Sequence, residues 1–414
     1  MKINKENFYT ILFFISVFVP TLNYYEVTLV IWSFLFLITL KEKYAQKFLL
    51  FTIPFFIILL VAFIVSFFYD YKLYNLIRDF AYLTKPIVGF YVGYNLFLNT
   101  NNKNYNPFDK IVIVGLLIAI YHLLLVVFVF TFLGEHNVRV IRGVAGFFND
   151  FEVYTLVILL FHKKFQLSYS TKKIRIYIFI LALSSFFYLA RTNFIQFVIL
   201  LIALKGWFVL TQKTVIIISS VVFSTLMFYA GVFYYNPRRN GDGIDEFLYK
   251  IKEIPTEAFS TKIDRNDWKD FNDHFRSYEN IRTIQQLSNN KTFLVGEGLG
   301  SSVDLKQKVL LGDKQMRFIP KLHNGFMTIL LKSGLLGIFF LLISIFYFIK
   351  KPSKSDLQIE KIDLLLLGTG FFLFVSYWVF LGFYNLLDTK VVLIGFLLSY
   401  KFSLERKNSL KTSS

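Results

Sequence analysis

The chain has 414 residues, 55% apolar, 20% aromatic and 17% charged, with a formal net charge of +18 and a mean hydropathy of +0.54. Soluble domains carry about 25% charged residues, and 52 Phe and 25 Tyr exceed what one water-facing core absorbs, because such cores stop growing beyond roughly 250–300 residues. Soluble globular, disordered and fibrous classes are thereby excluded.

The apolar residues gather in long runs such as Ile111–Phe132 and Phe339–Ile349, and stretches of about 17–25 apolar residues are the length of a bilayer-spanning helix. The sequence therefore predicts an all-α, polytopic integral membrane protein with about twelve spans. In chain order these are 8–22, 25–40, 48–69, 80–98, 110–133, 147–162, 174–190, 193–210, 214–235, 323–349, 362–385 and 387–403. The start resembles a secretory signal (Lys2, Lys5, then an apolar run from Phe8), but no small-residue cleavage site follows. It reads as a retained first helix.

Twelve spans place both termini on one side. The tails, alternate loops and helix ends of that side, Lys401 included, hold 22 Lys and Arg, whereas the short loops and helix ends opposite hold only Lys72, Arg78, Lys85, Arg139, Arg142, Arg191 and Lys390. That bias is the positive-inside pattern, so the termini are expected in the cytoplasm. The basic charge is then mostly a topology signal, not a nucleic-acid one.

The domain reading follows: spans one to nine over 1–235, an extracytoplasmic loop over 236–322, spans ten to twelve over 323–403, and a cytoplasmic tail over 404–414. The loop has 15 Lys and Arg against 13 Asp and Glu, a balance that suits an ordered, mostly helical element. Asp264–Leu287 reads as an amphipathic helix, with Trp268, Phe271, Phe275, Tyr278, Ile281 and Ile284 forming one apolar stripe. A shorter helix is expected around Ile244–Ile251. No internal repeat is visible.

With no cysteine, disulfides, thiol catalysis, iron–sulfur clusters and thiolate zinc sites are excluded. The five histidines show no metal-ligand spacing, and the first outer loop offers only Glu26, too few ligands for a hard cation wanting six or more oxygens. Neither metal nor cofactor is expected.

Candidate chemistry lies among cations on the lysine-poor side. Arg139 and Arg142, three residues apart, and Arg191, in a tight turn, offer planar forks that grip phosphate or carboxylate oxygens bidentately. Alternatively they snorkel to headgroups or pair with Glu135, Asp150 or Glu152. Ionisable groups at a membrane are functional candidates by default. His323 begins the tenth span beside Asn324, where an imidazole is suited to take a proton from a hydroxyl; the alternative is a histidine at a helix start with a capping role only. Gly296–Ser301 (GEGLGS) has the look of a phosphate loop but lacks its full pattern, so a tight turn is expected there.

Taken in order, Arg276–Leu287 (RSYENIRTIQQL), Gly296–Gly300 and His323–Gly337 (H-N-x9-G-L-L-G) resemble the C-terminal signature of the O-antigen polymerase and O-antigen ligase superfamily. Ala190-Arg191-Thr192 and Arg139–Phe148 are similar to that family's mid-chain arginine segments. The resemblance covers about residues 135–340; residues 1–130 carry no recognisable motif. It implies glycosyl transfer at the outer face of a bacterial cytoplasmic membrane. The donor would be an oligosaccharide on undecaprenyl diphosphate, attacked by an acceptor sugar hydroxyl. On that resemblance Arg191 and Arg276 contact the diphosphate, Arg139 or Arg142 is a third contact, and His323 is the general base. Asn324 joins the substrate-binding set. Membrane lipid and a chain-length regulator protein are the implied partners.

The ligase, which delivers glycan to lipid A–core, is the alternative within the family; the balanced loop charge favours the polymerase. A flippase of lipid-linked glycans would call for repeat symmetry and charges deep in the spans, and the apolar runs suggest neither. A non-catalytic scaffold would leave the arginines and His323 without a role.

Overall fold

The computed structural model describes residues 5–100, 106–135, 138–208, 212–238, 244–253, 263, 271, 274–311, 314–353 and 356–412. Its first half runs α1 (Lys5–Phe18), α2 (Tyr25–Thr39), α3 (Gln46–Ser66), α4 (Leu73–Thr100), α5 (Pro107–Thr131), α6 (Val138–Ala145) and α7 (Asp150–Leu160). There follow α8 (Thr171–Phe187), α9 (Arg191–Leu204), α10 (Gln212–Tyr235), α11 (Ile244–Glu253) and α12 (Phe275–Asn289). A hairpin of β1 (Val303–Leu311) and β2 (Lys314–Ile319) precedes α13 (Gly325–Phe346), α14 (Leu357–Val379) and α15 (Lys390–Thr412).

The apolar runs become helices because a helix satisfies its own backbone where no water is available. Their starts are marked in the sequence: Asn106, Asn149, Ser170, Asn324 and Asp356 each accept a backbone N–H with the side chain, the usual N-cap chemistry. Among the described residues, α3, α5, α13 and α14 are long and apolar enough to cross a membrane. Helix α4 is longer, at 28 residues, but Arg78, Asp79 and Lys85 interrupt its apolar character. Shorter apolar helices include α2 and α9.

Helix α4 packs centrally, against α15 on one side and α2 on another, while α13 lies along α3 and α14 along α9. The α4–α15 crossing needs glycine: a Cβ on Gly93 would stand 1.9 Å from the carbonyl oxygen of Val392. Helix α13 is broken within its first half. Gly334 has φ 63° and ψ −161°, so the N–H groups of Leu335 and Leu336 donate instead to the carbonyls of Phe293 and Leu294 (3.0 and 3.1 Å). Glu297 and Gly298 donate back to Leu331 and Lys332 (2.8 and 3.1 Å). A polar segment thus repairs a membrane-type helix, the condition under which irregular backbone is tolerated among apolar helices. The G-L-L-G of the sequence is the hinge of this joint.

Three local expectations change. The 236–322 segment is not wholly helical: Val303, Leu305 and Val309 are buried on a period-two pattern that builds an antiparallel hairpin, with an irregularity between Asp304 and Val309. The apolar stripe turns away at its end, because Ile284 is 42% exposed and Leu287 is buried in its place. The part of that stripe at 264–270, including Trp268, lies outside the described residues. Helix α6 was not anticipated; its few residues are too short and polar to stand out as a span. The helix near Ile244 is present as α11.

Candidate functional site

Three separate turns deliver arginine to one place. Helix α6 carries Arg142, and the link after it leads to Asn149, whose Oδ1 accepts the N–H groups of Phe151 and Glu152 (3.0 and 3.3 Å) and starts α7. Between α8 and α9, Leu189 adopts a left-handed φ of 47°, which reverses the chain and makes Arg191 the first residue of α9. Arg276 is the second residue of α12.

Arg142, Arg191 and Arg276 line a single pocket of about 320 Å³ with Phe147, Phe148, Val379 and Phe380. No carboxylate is among the described lining residues. Partial burial, and then the neighbouring Arg191 charge, push the Arg142 guanidinium below its ordinary value; like charges gathered in a cleft create a potential that draws an anion. The Nε of Arg142 is buried with no hydrogen-bond partner among the described residues. Arg276 also makes an interaction within the protein. Arg139 sits on α6, but its side chain lies outside the described residues.

Two of the three acids weighed as arginine partners, Asp150 and Glu152, are occupied elsewhere. Asp150 accepts from Lys390 Nζ at 2.9 Å. Glu152 accepts from Tyr188 (2.8 Å) and Ser184 (2.5 Å).

Leu189, Ala190 and Arg191 also border a second, larger cavity of about 680 Å³, otherwise walled by Val153, Leu156, Phe186, Phe194 and Phe197 and other residues of α7, α8 and α9. The arginine pocket and this apolar cavity therefore meet at one turn of the chain. A charged mouth joined to a greasy slot is suited to an amphiphile with an anionic head.

His323 approaches from α12 and α13. Its Nδ1 lies 3.0 and 3.1 Å from the two oxygens of Glu279, and its backbone N–H donates to the same carboxylate at 3.0 Å. Glu279 is buried while the His323 side chain is 48% exposed, so the carboxylate fixes the ring and Nε2 is turned outward. A carboxylate that holds Nδ1–H sets the tautomer and leaves Nε2 as the base. Arg276 and Glu279 are three apart on α12 and so share a face, and the Phe275 ring meets His323 edge-on at 5.8 Å. The Gly325 N–H donates to the carbonyl of Phe380 (2.8 Å), a residue lining the arginine pocket. His323 is not among the described residues lining the arginine pocket, and these links connect it to that pocket's wall.

Asn324 uses one end of its side chain locally. Its Oδ1 caps α13 by accepting from Met327 (3.2 Å), and Nδ2 is buried with no partner among the described residues. Glycines 296, 298 and 300 all take positive φ, and the run is packed against α3 and α13 as a turn.

The sequence was also expected to carry no charge deep in its spans, and this is corrected. Lys332 Nζ donates to Asp79 Oδ2 (2.5 Å) and to the Ser301 carbonyl (2.5 Å). Lys390 joins Asp150 and Asp388 (2.9 and 2.6 Å), and Lys85 donates to the carbonyls of Asn385 and Leu386. Each of these charges is satisfied within the protein, which makes them helix-to-helix ties. Single charges in apolar runs were overlooked because their partners lie far away in sequence. Glu279 was within reach, standing inside the RSYENIR segment, yet spacing alone did not pair it with His323.

Among the described residues no group of three or more His, Cys, Asp or Glu is placed to hold a metal. Compared with known proteins, the chain matches no family profile, no curated protein and no solved structure.

Proposed function

We propose that the protein is a metal-independent membrane glycosyltransferase that polymerises oligosaccharide repeat units carried on undecaprenyl diphosphate. The observation that carries this reading is the junction at Leu189–Arg191, where a three-arginine pocket and an apolar cavity share a wall. A polyprenyl diphosphate has that same division, a dianionic head on a long hydrocarbon chain. His323, oriented by Glu279, is tied to the arginine pocket's wall through Arg276 on the same helix as Glu279 and through Gly325 and Phe380.

In this mechanism the acceptor sugar hydroxyl attacks the anomeric carbon of the donor. The bond from that carbon to the diphosphate oxygen breaks, the hydroxyl proton passes to His323 Nε2, and the diphosphate leaves into the arginine pocket. Preorganised guanidinium groups placed where charge develops favour the transition state over the ground state. The chain is taken to cross the bacterial cytoplasmic membrane twelve times with cytoplasmic termini, which puts the arginines, His323 and the 236–322 segment on the outer face. Lysine bias and the helix order support that topology.

Given a single lipid-linked repeat unit and no other acceptor, purified protein is expected to build a ladder of longer lipid-linked glycans. Transfer seen only when lipid A–core is added would instead identify a ligase. No transfer in either case, with binding of undecaprenyl diphosphate absent as well, would overturn the reading.

A further inference from the structure

A third cavity lies at the far end of α12 from the arginines. It measures about 400 Å³ and is bordered by Tyr69, Tyr71, Arg282, Gln286, Asn289, Asn290, Glu297, Asp304 and Phe318, among others. Arg276 and Asn289 are thirteen residues apart on α12, which at 1.5 Å per residue is about 20 Å. None of its lining residues belongs to the arginine pocket.

Its composition is unlike that of the other two. One wall is aromatic: the rings of Tyr69 and Tyr71 stack at 5.4 Å with 20° between their planes, and the Tyr71 hydroxyl is anchored to the carbonyl of Glu297 (3.0 Å). Phe318 is 53% exposed nearby. The rest of the lining is a fixed polar lattice. Glu297 accepts from Gln286 Nε2 (2.6 Å) and Asn290 Nδ2 (2.7 Å), while Gln286 Oε1 accepts the Asp304 N–H (2.9 Å). The Asn289 side chain makes no hydrogen bond among the described residues and faces solvent. Arg282 and Lys306 balance Glu297 and Asp304, so this cavity does not select an anion as the arginine pocket does.

An aromatic wall beside a rigid array of amide and carboxylate groups matches the chemistry of a sugar ring. A pyranose has C–H faces that stack on an aromatic ring, and a rim of hydroxyls, each both donor and acceptor. We propose that this cavity is a carbohydrate-binding subsite that takes one or two uncharged hexose units. Resting on the glycosyl-transfer reading above, these units belong to the acceptor glycan, whose chain would run along α12 from His323. Holding the chain there keeps it engaged between successive transfers.

The test uses full-length protein in nanodiscs and, as probe, oligosaccharides cut from the source cell's own surface polysaccharide after mild-acid removal of lipid and phosphate. Binding is followed by saturation-transfer NMR. Wild type is expected to bind. Tyr69→Ala and Asn289→Ala each should weaken binding about fivefold, Tyr69→Phe should bind as wild type, and Arg191→Ala should retain binding. Undecaprenyl diphosphate, the second probe, should show the reverse pattern, lost in Arg191→Ala and kept in Tyr69→Ala. Absence of oligosaccharide binding by wild type, or binding lost in Arg191→Ala but kept in Tyr69→Ala, would overturn the subsite. Failure of the diphosphate arm alone would overturn the lipid-diphosphate reading and leave the subsite standing. Unchanged melting temperatures for Tyr69→Ala and Asn289→Ala separate loss of contact from loss of fold.

Discussion

Two groups of cations in this molecule are treated in opposite ways. Lys332 and Lys390 are fully enclosed and each touches a carboxylate, Asp79 in one case and Asp150 with Asp388 in the other. Arg142 and Arg191 stand in a pocket whose described walls hold no acid, and each repels the other. A charge stripped of water must be paired, because an isolated buried ion costs far more than a fold can supply. A charge left beside an opening can remain uncompensated, and the potential it creates is then available to a ligand. Lysine pairs hold the helices; arginines are held by them.

The contrast is sharpest in activity. His323→Ala should lower the transfer rate about 10²–10⁴-fold, the usual worth of a positioned general base. Arg191→Ala should cost about 10²–10³-fold by removing charge stabilisation. Neither should move the melting temperature of the purified protein. Glu279→Gln tests the positioning role: it keeps the shape of the buried side chain but no longer fixes the imidazolium. Its activity should fall with a changed pH–rate profile, and an unaltered profile would separate Glu279 from the chemistry.

The paired group should respond the other way. Lys332→Met removes the buried ammonium from Asp79, which keeps Arg78 Nε (2.9 Å) and the Gly300 N–H (2.8 Å), and should destabilise the fold by about 3 kcal/mol, the low end for breaking a buried pair, seen as a loss of folded protein on heating in detergent. The double variant Asp79→Asn with Lys332→Met should recover most of that loss. A single variant as stable as wild type would show that the ion pair does not tie α4 to α13.

A smaller effect is expected at the hinge. In Gly334→Ala a Cβ would sit 2.3 Å from the Leu294 carbonyl carbon in a backbone conformation that L-residues avoid. A penalty of about 1–3 kcal/mol should appear in thermal unfolding, and in-gel proteolysis near 293–298 should quicken.

The smallest effect concerns pH. Lys321, between the rings of Tyr25 and Tyr82 (4.7 and 4.5 Å), has its ammonium pushed down to about 8 by burial, against a partial pull upward from Asp79. Between about pH 8 and the ordinary lysine value near 10.4, the unfolded chain therefore binds more protons than the folded one. Stability attributable to this group rises with pH across that window. Subtracting the pH profile of Lys321→Met from that of wild type should give a rising difference; a flat one would place Lys321 in water.

Much of the fold was readable because one physical signal dominates it. Long apolar runs can bury their backbone only as helices, and capping residues such as Asn106, Asn149 and Asp356 mark where those helices begin. Arg142 and Arg191 could likewise be singled out, since a cation in a lysine-poor region is conspicuous, whereas Arg276 was pointed to only by the family resemblance. The hairpin at 303–319 was harder to see, because its alternation is short and its neighbours are polar.

The sequence by itself thus determined a helical chain of membrane type, the cations that stand out from it, and His323 at a helix start. Only the tertiary structure decided that three arginines share one pocket, that Glu279 holds His323 Nδ1, and that Asn324 Oδ1 caps α13. It also decided which charges are neutralised: Asp79 and Lys332, like Asp150 and Lys390, are separated by more than two hundred residues. Hydrophobicity and capping are properties of neighbours along the chain, so they can be read in order. Charge compensation depends on distance and dielectric in space, and the chain order carries neither.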